Sequence, residues 1–488
     1  MRILFASSEA YPLIKTGGLA DVSASLPRAL QELGHDVRLL LPAYRSVVAA
    51  ARHALKTIAR FDLRGDAVAI HETRLPGTRV PVWLVDCPPL FDRPGNPYQN
   101  DEQRDWPDNA ARFALFARAA IELAQNRAAL DWRADIVHCN DWQTGLIPAL
   151  LQVEAQRPAT VFTIHNLAYQ GLFPAATHGE LGLPAELWDF RALEFHGRLS
   201  FIKGGLVFAD RINTVSPTYA CEIQTDALGC GLGGLLRHRA HALGGILNGI
   251  DSDEWNPARD PHLAQSYDAD HLVAKAVNKR ALRSQFDLDG GGNLPLLGFI
   301  GRLVEQKGID LLLECLPRLA GRAQIVVLGS GERRHEQAFE QLAAQYSRTI
   351  AVHIGYDETL AHRIEAGADI FLMPSRFEPC GLNQLYSLRY GTLPVVHAVG
   401  GLADTVSDAD VAGAAHGTGF SFAEPTAAAL QDAIERALAA YREPARWQRL
   451  QRNAMRRDSS WRGSALAYQE IYTEALAHPH SGAARLSA

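Results

Sequence analysis

Short runs of apolar and β-branched residues alternate with longer amphipathic segments from one end of the chain to the other. The strand-like runs are Arg2–Ser7, Val37–Leu41, Val80–Val85, Asp135–Cys139, Thr160–His165, Arg211–Val215, Leu296–Ile300, Gln324–Leu328, Ala351–Ile354, Asp369–Met373 and Leu393–Val396. The segments between them, such as Ala20–Leu33, Asp108–Gln125 and Trp142–Glu154, have the apolar spacing of helices. Because this alternation is typical of parallel sheets covered by helices on both faces, the sequence predicts an α/β fold.

The length of 488 residues exceeds what one hydrophobic core usually supports, so we expect two domains. Turn-forming residues concentrate between Leu243 and Trp255, and we place the boundary between residues 245 and 246. The second domain is expected to end at residue 459, because Ser460–Leu476 has the pattern of a further amphipathic helix. The remaining residues, up to 488, predict a frayed tail, and Gly290-Gly-Gly predicts a loop inside the second domain.

Composition and charge exclude several classes of protein. A formal net charge of -6 argues against a nucleic-acid partner, which usually requires a basic surface. The six cysteines include no Cys-x-x-Cys pair, which disfavours a disulfide framework and a zinc knuckle and fits a reducing cytosol. The apolar run at the N-terminus is too short for a signal peptide, and no run approaches the roughly 18 apolar residues of a membrane span. We therefore expect a soluble, cytoplasmic protein without a membrane partner.

One pentapeptide occurs twice. Gly17-Gly-Leu-Ala-Asp21 recurs as Gly400-Gly-Leu-Ala-Asp404, and each copy follows a predicted strand and precedes a helical pattern. Open α/β sheets bind ligands outside the carboxyl ends of their strands, and adjacent glycines let the backbone approach a phosphate closely. Lys15, just before the first copy, adds a cation. The alternative for this segment is a glycine-rich turn with a solvated lysine, and the glycine spacing fits neither a Walker loop nor a dinucleotide fingerprint.

Two segments of the second half carry charged residues after predicted strands. Arg302 and Lys307 follow the run that ends at Ile300, and both cations could converge on a pyrophosphate. The alternative interpretation is that Arg302 and Lys307 are simply two cations on the protein surface. Glu378 follows the run that ends at Met373, where a carboxylate could stabilise the positive charge of a glycosyl-transfer transition state. The alternative for Glu378 is a carboxylate at a helix start. Cys380 is interpreted as a packing residue.

Polar residues also follow two strands of the first half. Asp141, His165 and Asn166 could hydrogen-bond to sugar hydroxyl groups. A histidine at a strand end is more often a structural residue than a catalyst, and that alternative stays open here. Neither His138 nor His165 has metal-like spacing to cysteine or carboxylate residues, so we predict no metal and no other cofactor.

Seven segments together resemble the bacterial glycogen synthase and plant starch synthase family of retaining glycosyltransferases. They span nearly the whole chain in family order. The matching segments are Lys15-Thr-Gly-Gly-Leu-Ala-Asp, His138-Cys-Asn-Asp-Trp, Thr163-Ile-His-Asn, Leu247-Asn-Gly-Ile-Asp, Gly301-Arg-Leu-Val-Glu-Gln-Lys-Gly, Ser375-Arg-Phe-Glu-Pro-Cys-Gly-Leu and Gly400-Gly-Leu-Ala-Asp-Thr.

The resemblance implies two Rossmann-like doubly wound parallel-sheet domains that face a central cleft, the GT-B arrangement, with the last helix returning to the N-terminal domain. It implies an acceptor side in the first domain and a donor side in the second. The implied reaction transfers glucose from ADP-glucose to the non-reducing end of an α-1,4-glucan with retention of configuration, the departing phosphate acting as base. No metal is implied.

The resemblance also implies a role for individual residues. Five would act in catalysis, namely Glu378, His165, Lys15, Lys307 and Arg302. Donor contacts would come from Lys15, Gly18, Asp21, Asp141, Asn166, Asn248, Arg302, Lys307, Tyr356, Glu378, Cys380, Gly381, Leu382 and Thr405. Within this set the cations and Gly18 would hold phosphates, and Tyr356 would stack on the nucleobase. The chain departs from many relatives in the wider superfamily at Tyr386, where those have a second glutamate, and this puts the ribose contact in doubt.

Other functions are weighed against this one. A transferase that uses UDP-glucose, or a small sugar as acceptor, has the same fold and the same motifs. A catalytically silent glucan- or nucleotide-binding module would have lost charged motif positions, whereas all of them are filled. An NAD-dependent oxidoreductase is disfavoured because the dinucleotide fingerprint is missing.

Overall fold

A computed structural model describes residues 1–478 except residues 103, 155 and 289–293. The predicted Gly290-Gly-Gly loop and the predicted tail beyond residue 478 lie outside the described residues. The chain divides into two compact units. Unit 1 comprises Met1–Leu247 and the segment that begins at Trp461, and unit 2 comprises Asn248–Ser460. The boundaries predicted from the sequence are 245/246 and 459/460.

Unit 1 contains a large sheet and a small one. Its strands are β1 (Arg2–Ala6), β2 (Asp36–Pro42), β3 (Lys56–Leu63), β4 (Asp66–Arg74), β5 (Pro81–Asp86), β6 (Ile136–Asn140), β7 (Ala159–Ile164), β8 (Leu172–Pro174), β9 (Glu194–Phe195), β10 (Arg198–Ser200), β11 (Arg211–Thr214) and β12 (Leu243–Gly245). Among the described residues, nine strands form the large sheet in the order β12-β11-β7-β6-β1-β2-β5-β4-β3. The central strands β1, β6 and β7 pair in parallel, and β6 and β7 are buried along their whole length, as the apolar runs predict.

One edge of the large sheet differs from the sequence-based expectation of parallel strands. β3 and β4 were not predicted, and they form an antiparallel hairpin that continues antiparallel into β5. Arg64 and Gly65 connect the two strands with φ angles of 60° and 95°. A connection of two residues can join two strands only if the strands are antiparallel. The commonest hairpin turn requires a positive φ at both of its central residues.

Helices cover the large sheet. In unit 1 they are α1 (Gly18–Glu32), α2 (Arg45–Ala51), α3 (Pro88–Phe91), α4 (Asn109–Ala124), α5 (Leu146–Leu151), α6 (Ala176–Glu180), α7 (Phe201–Phe208), α8 (Pro217–Glu222) and α9 (Gly233–His238). The predicted helix Trp142–Glu154 is interrupted: a 3₁₀ turn at Trp142–Thr144 precedes α5. Pro148 lies in the first turn of α5, where its missing N–H costs no intrahelical hydrogen bond, and this favours a fresh helix start at Leu146.

Unit 2 is built around a single parallel sheet in its described part. The strands are β13 (Leu296–Ile300), β14 (Gln324–Gly329), β15 (Ile350–Ile354), β16 (Ile370–Met373), β17 (Leu393–His397) and β18 (Phe420–Phe422), in the order β15-β14-β13-β16-β17-β18. The helices are α10 (Lys275–Gln285), α11 (Ile309–Leu319), α12 (Arg333–Gln345), α13 (Glu358–Gly367), α14 (Asn383–Arg389), α15 (Gly400–Thr405), α16 (Gly413–His416), α17 (Ala427–Tyr441) and α18 (Pro444–Arg456). None of the helices in the described ranges combines the length and the apolar character that crossing a membrane requires.

The last helix, α19 (Trp461–Ala477), packs against α1 and β7 of unit 1. Its buried residues follow the spacing of one helical face and are Trp461, Ala465, Tyr468, Tyr472 and Ala475. Two of their hydroxyl groups meet buried side chains of the large sheet. The Tyr472 hydroxyl lies 2.8 Å from Nδ1 of His138, and the Tyr468 hydroxyl accepts from Asn213 at 2.9 Å. These polar contacts fix the position of α19 along the sheet, because a shift of either ring would leave a buried polar group unsatisfied.

Replacing Tyr472 with phenylalanine tests this attachment. Burial lowers the pKa of His138 to about 3, so its neutral ring needs a partner at both nitrogens, and Thr163 supplies the second. Tyr472→Phe removes the partner of Nδ1 and should reduce the stability of unit 1 by about 1–3 kcal/mol, measured as a lower melting temperature in calorimetry. Tyr44→Phe is the matched control, because the buried Tyr44 hydroxyl has no hydrogen-bond partner among the described residues. Equal melting temperatures for Tyr472→Phe and the wild type would contradict the expectation.

Candidate active site

The loop between β1 and α1 is organised by one buried carboxylate. Glu9 is 3% exposed and accepts hydrogen bonds from the backbone N–H and the hydroxyl of Thr16, from the Gly17 N–H at 3.2 Å, and from the Tyr98 hydroxyl. Four donors on one carboxylate hold the backbone of the loop in place. Neither Glu9 nor Tyr98 was predicted as a site residue. The signal in the sequence is an acidic residue three positions after the end of a buried apolar strand.

Lys15, Gly18 and Asp21 lie on this loop and at the start of α1. The Lys15 ammonium forms an ion pair with Asp21 at 2.9 Å and lies 5.2 Å from the centre of the Tyr11 ring. Gly18 is the first residue of α1, and its backbone is exposed. The loop thus presents a cation and the N-terminus of a 15-residue helix at the same edge of the sheet, which is an environment that favours an anion.

Asp141 and His165 follow the neighbouring strands β6 and β7. Asp141 has a φ of 55°, and its buried carboxylate accepts the His165 N–H at 2.7 Å. Burial raises the pKa of Asp141 to about 7, although hydrogen bonds from the His165 and Asn166 backbones oppose this shift. Loss of hydration lowers the pKa of His165 to about 3, and its Nε2 lies 2.9 Å from the Asn140 side-chain oxygen. His165 is therefore a neutral hydrogen-bonding group at pH 7, and Asp141 connects it with Asn166.

In unit 2, the structure joins Lys307 directly to Glu378. The Lys307 ammonium lies 2.5 Å from the Glu378 carboxylate, which also accepts from the Ser375 hydroxyl at 2.9 Å. Glu378 is 6% exposed, and the two residues follow the adjacent strands β13 and β16. Gly308 makes this approach possible, because a Cβ atom at that position would lie 2.1 Å from the Pro374 carbonyl oxygen.

Arg302 belongs to the same group of loops. Its guanidinium donates to the Gln306 side chain at 3.1 Å, and Gln306 in turn donates to the Phe377 carbonyl at 3.2 Å. Arg302 is exposed, whereas Lys307 is half-buried. The two predicted phosphate-binding cations therefore differ: Arg302 is open to solvent, and Lys307 is already neutralised by a carboxylate.

The second Gly-Gly-Leu-Ala-Asp copy packs against the Glu378 turn. The Gly401 N–H donates to the Glu378 carbonyl at 3.1 Å, and a Cβ atom on Gly400 or Gly401 would lie 2.1 Å from the carbonyl oxygen of Glu378 or Cys380. Gly400 has a φ of 44°. This contact explains the two glycines by close backbone packing within unit 2, a reason that the sequence alone did not supply.

Four further predicted residues lie at the same turn. Gly381 has a φ of 74° and precedes Leu382, which caps the start of α14. The side-chain amide of Gln384 donates to the Cys380 carbonyl at 2.9 Å and to the buried Thr405 hydroxyl at 3.2 Å. Burial raises the pKa of the Cys380 thiol to about 12, which agrees with its interpretation as a packing residue.

Asn248 and Tyr356 complete the predicted set. Asn248 is buried, and its side-chain oxygen has no hydrogen-bond partner among the described residues. Tyr356 follows β15, which is separated from β16 by two strands, and the residue is 73% exposed. The structure therefore brings Lys307, Glu378, Cys380, Gly381 and Thr405 into one network and leaves Tyr356 apart from it.

Comparisons with known proteins agree with this architecture. Residues 2–238 match the model of the starch synthase catalytic domain, and residues 283–454 match the model of glycosyl transferases group 1. A glycogen synthase from Cellvibrio japonicus is 61% identical over 96% of this chain and 98% of its own length. Glycogen synthase 1 from Methylococcus capsulatus is 58% identical over 99% of this chain and 98% of its own length.

The chain belongs to the glycogen synthase and starch synthase family. Among solved structures, the catalytic domain of starch synthase IV from Arabidopsis thaliana, bound to ADP and acarbose, has a TM-score of 0.87 and 34% identity over 98% of this chain and 99% of its own. A sucrose-phosphate synthase from Thermosynechococcus elongatus shares the fold, with a TM-score of 0.61. It is 17% identical over 98% of this chain and 99% of its own. The predicted family, the GT-B fold class and the glycosyltransferase class are thus confirmed.

The substitution Asp141→Asn tests the raised pKa of the Asp141 carboxyl group, through the pH dependence of the stability of the protein. The folded pKa of about 7 lies above the ordinary value of 3.8, so folding takes up a proton between these values and the contribution of Asp141 to stability falls as the pH rises. Asparagine keeps the acceptor for the His165 N–H and does not titrate. The melting temperature of the variant relative to wild type should therefore rise from about pH 5 to about pH 8 in calorimetry. A pH-independent difference between the two proteins would refute the raised pKa.

Proposed function

We propose that this protein transfers glucose from ADP-glucose to the non-reducing end of an α-1,4-glucan with retention of configuration, as in glycogen synthesis. The observation that carries the proposal is the Lys307–Glu378 pair, which places a phosphate-binding cation and a carboxylate within 2.5 Å at the carboxyl ends of adjacent strands. Relatives named glycogen synthase over the full length of the chain support the reaction, and ADP in the starch synthase IV structure supports the nucleotide.

On the donor side, the roles follow from charge and exposure. The exposed Arg302 guanidinium contacts the diphosphate, and Lys307 exchanges part of its contact with Glu378 for a phosphate oxygen. Glu378 then faces the glucosyl carbon, where its negative charge stabilises the oxocarbenium-like transition state. Tyr356 offers an exposed ring for the nucleobase, and Asn248 offers a buried oxygen for a hydroxyl group of the donor.

The residues of unit 1 supply hydrogen bonds and a second phosphate contact. Lys15 and the Gly18 N–H bind phosphate, and Asp21 orients the Lys15 ammonium through their ion pair. His165, neutral at pH 7, and Asn166 bind hydroxyl groups of the transferred glucose, and Asp141 holds both backbones. The departing phosphate takes the proton of the acceptor hydroxyl.

No metal or other cofactor takes part in this reaction, because Lys15, Arg302 and Lys307 supply the positive charge that the leaving diphosphate needs. The protein works in the cytoplasm. All six cysteines are free, and Cys221 and Cys230 are exposed, which fits a reducing compartment. The partners are ADP-glucose and the glucan acceptor, without a nucleic acid or a membrane.

The direct test is incubation of the pure protein with labelled ADP-glucose and glycogen. We expect label in the polymer and an α-linked product, and an excess of unlabelled UDP-glucose should compete poorly. Stronger competition by UDP-glucose than by unlabelled ADP-glucose would identify a UDP-glucose transferase instead. Label in a small sugar but not in glycogen would change the acceptor, and no transfer to any acceptor would refute the proposed reaction.

Glu378→Ala separates chemistry from binding. Loss of the transition-state carboxylate should lower kcat about 100- to 1,000-fold, while ADP binding, measured by calorimetry, stays within a few-fold of wild type. Glu340→Ala, at an exposed position of α12, is the matched control and should leave both quantities unchanged. An unimpaired kcat in Glu378→Ala would contradict the assigned role.

A further inference from the structure

A series of polar contacts in unit 1 leads from the start of α4 to the loop that carries Lys15. Its central member is Tyr98, on the connection between α3 and α4. The Tyr98 hydroxyl donates to the Glu9 carboxylate and lies 2.8 Å from the Ser8 hydroxyl. Glu9 and Tyr98 are 89 residues apart in the sequence. These contacts therefore connect the candidate site with a segment of the chain that no sequence motif indicates.

The Tyr98 hydroxyl is the donor in its contact with Glu9. Burial raises the pKa of Tyr98 well above its ordinary value of 10, and the negative charge of Glu9 raises this pKa further. The hydroxyl therefore keeps its proton at neutral pH. A hydrogen bond to an ionised acceptor is about twice as strong as one between neutral groups, so this contact holds the Glu9 carboxylate firmly.

Glu9 in turn holds Thr16 and Gly17, which directly follow Lys15. One carboxylate oxygen, Oε1, accepts from the Tyr98 and Thr16 hydroxyls. The other, Oε2, accepts from the Thr16 and Gly17 N–H groups. Because both oxygens belong to one rigid planar group, the donor that fixes Oε1 also orients Oε2. The hydroxyl of the tyrosine thereby helps to determine where the backbone of the loop lies.

The first turn of α4 holds the backbone around Tyr98. The Asn109 side chain donates to the Tyr98 carbonyl at 3.0 Å. Arg112 is fully buried and donates to the Leu90 and Pro97 carbonyls at 2.9 and 2.8 Å. It also donates to the Asn109 side-chain oxygen at 2.7 Å. Because a buried guanidinium is costly without such acceptors, the helix and the segment before Tyr98 are held in this arrangement.

We propose that Tyr98 is a positioning residue for the phosphate contacts of Lys15 and Gly18. Its hydrogen bond to Glu9 fixes the loop in the conformation that presents both groups to the diphosphate, although Tyr98 itself acts without touching the substrate. This role rests on the proposed glucosyl transfer, in which Lys15 and the Gly18 N–H bind phosphate. A displacement of about 1 Å at a group that stabilises a transition state can cost about 100-fold in rate, so the position of the loop matters for turnover.

The first test is hydrogen–deuterium exchange of the loop, measured by mass spectrometry on Tyr98→Phe, which removes the hydroxyl and keeps the ring. We expect the Thr16 and Gly17 amides to exchange at least about tenfold faster than in wild type. Tyr44→Phe is the matched control and should leave this exchange unchanged. The Tyr44 ring lies 5.9 Å from the Arg112 guanidinium, and its buried hydroxyl has no hydrogen-bond partner among the described residues. Unchanged exchange in Tyr98→Phe would overturn the proposal, and this measurement needs no substrate.

The second test is a double-mutant cycle between Tyr98 and Lys15, read as kcat. Tyr98→Phe alone should lower kcat about tenfold and leave the KM for glycogen within about twofold, whereas Tyr44→Phe should change neither. In the Lys15→Ala background the same substitution should cost less than about threefold, because the cation that Tyr98 positions is gone.

A purely structural role for Tyr98 would give equal losses in both backgrounds, and that result would overturn the proposal. Failure of the proposed function has a different signature, because a wild type that transfers no glucose refutes the reaction itself. Additive losses in an active enzyme refute only the role of Tyr98.

Discussion

Parallel pairing of strands is the constraint on which the rest of the structure depends. Parallel neighbours need a crossover, so every strand of such a set ends at the same edge of its sheet and delivers its following loop there. In unit 1 the adjacent strands β1, β6 and β7 lead to Glu9, Asp141 and His165. In unit 2 the adjacent strands β13, β16 and β17 lead to Lys307, Glu378 and Gly400. Residues far apart in the sequence therefore become neighbours.

In unit 1, the loops at this edge are held by acidic side chains that accept backbone hydrogen bonds. Glu9 binds two successive backbone N–H groups of its loop, and Asp141 binds the His165 backbone. A buried carboxylate is costly unless such donors surround it. Each buried acid is satisfied only when its loop has one particular conformation. The free-energy cost of burying the acid therefore favours that conformation and fixes the geometry of the candidate site.

The sequence predicted the central strands within one or two residues, since a strand buried on both faces must be a continuous apolar run, as at Leu296–Ile300. It missed the β3–β4 hairpin because Lys56–Leu63 is partly exposed and mixes polar with apolar residues. The site residues came from motifs, but the Lys307–Glu378 contact joins positions 71 residues apart, which no local pattern encodes. Glu9 was missed because its role appears only when its partners are in place.

The contact between Lys307 and Glu378 limits how both residues act in the proposed transfer. An ammonium 2.5 Å from a carboxylate has little net charge to attract a phosphate from a distance, so the exposed Arg302 makes the better first contact. Once phosphate oxygens share the Lys307 ammonium, the Glu378 charge is less neutralised and becomes available to a cationic sugar. Binding of the donor would thereby strengthen the electrostatic field that its own reaction needs. The Ser375 hydroxyl would keep the Glu378 carboxylate in place while Lys307 moves part of its contact to the phosphate.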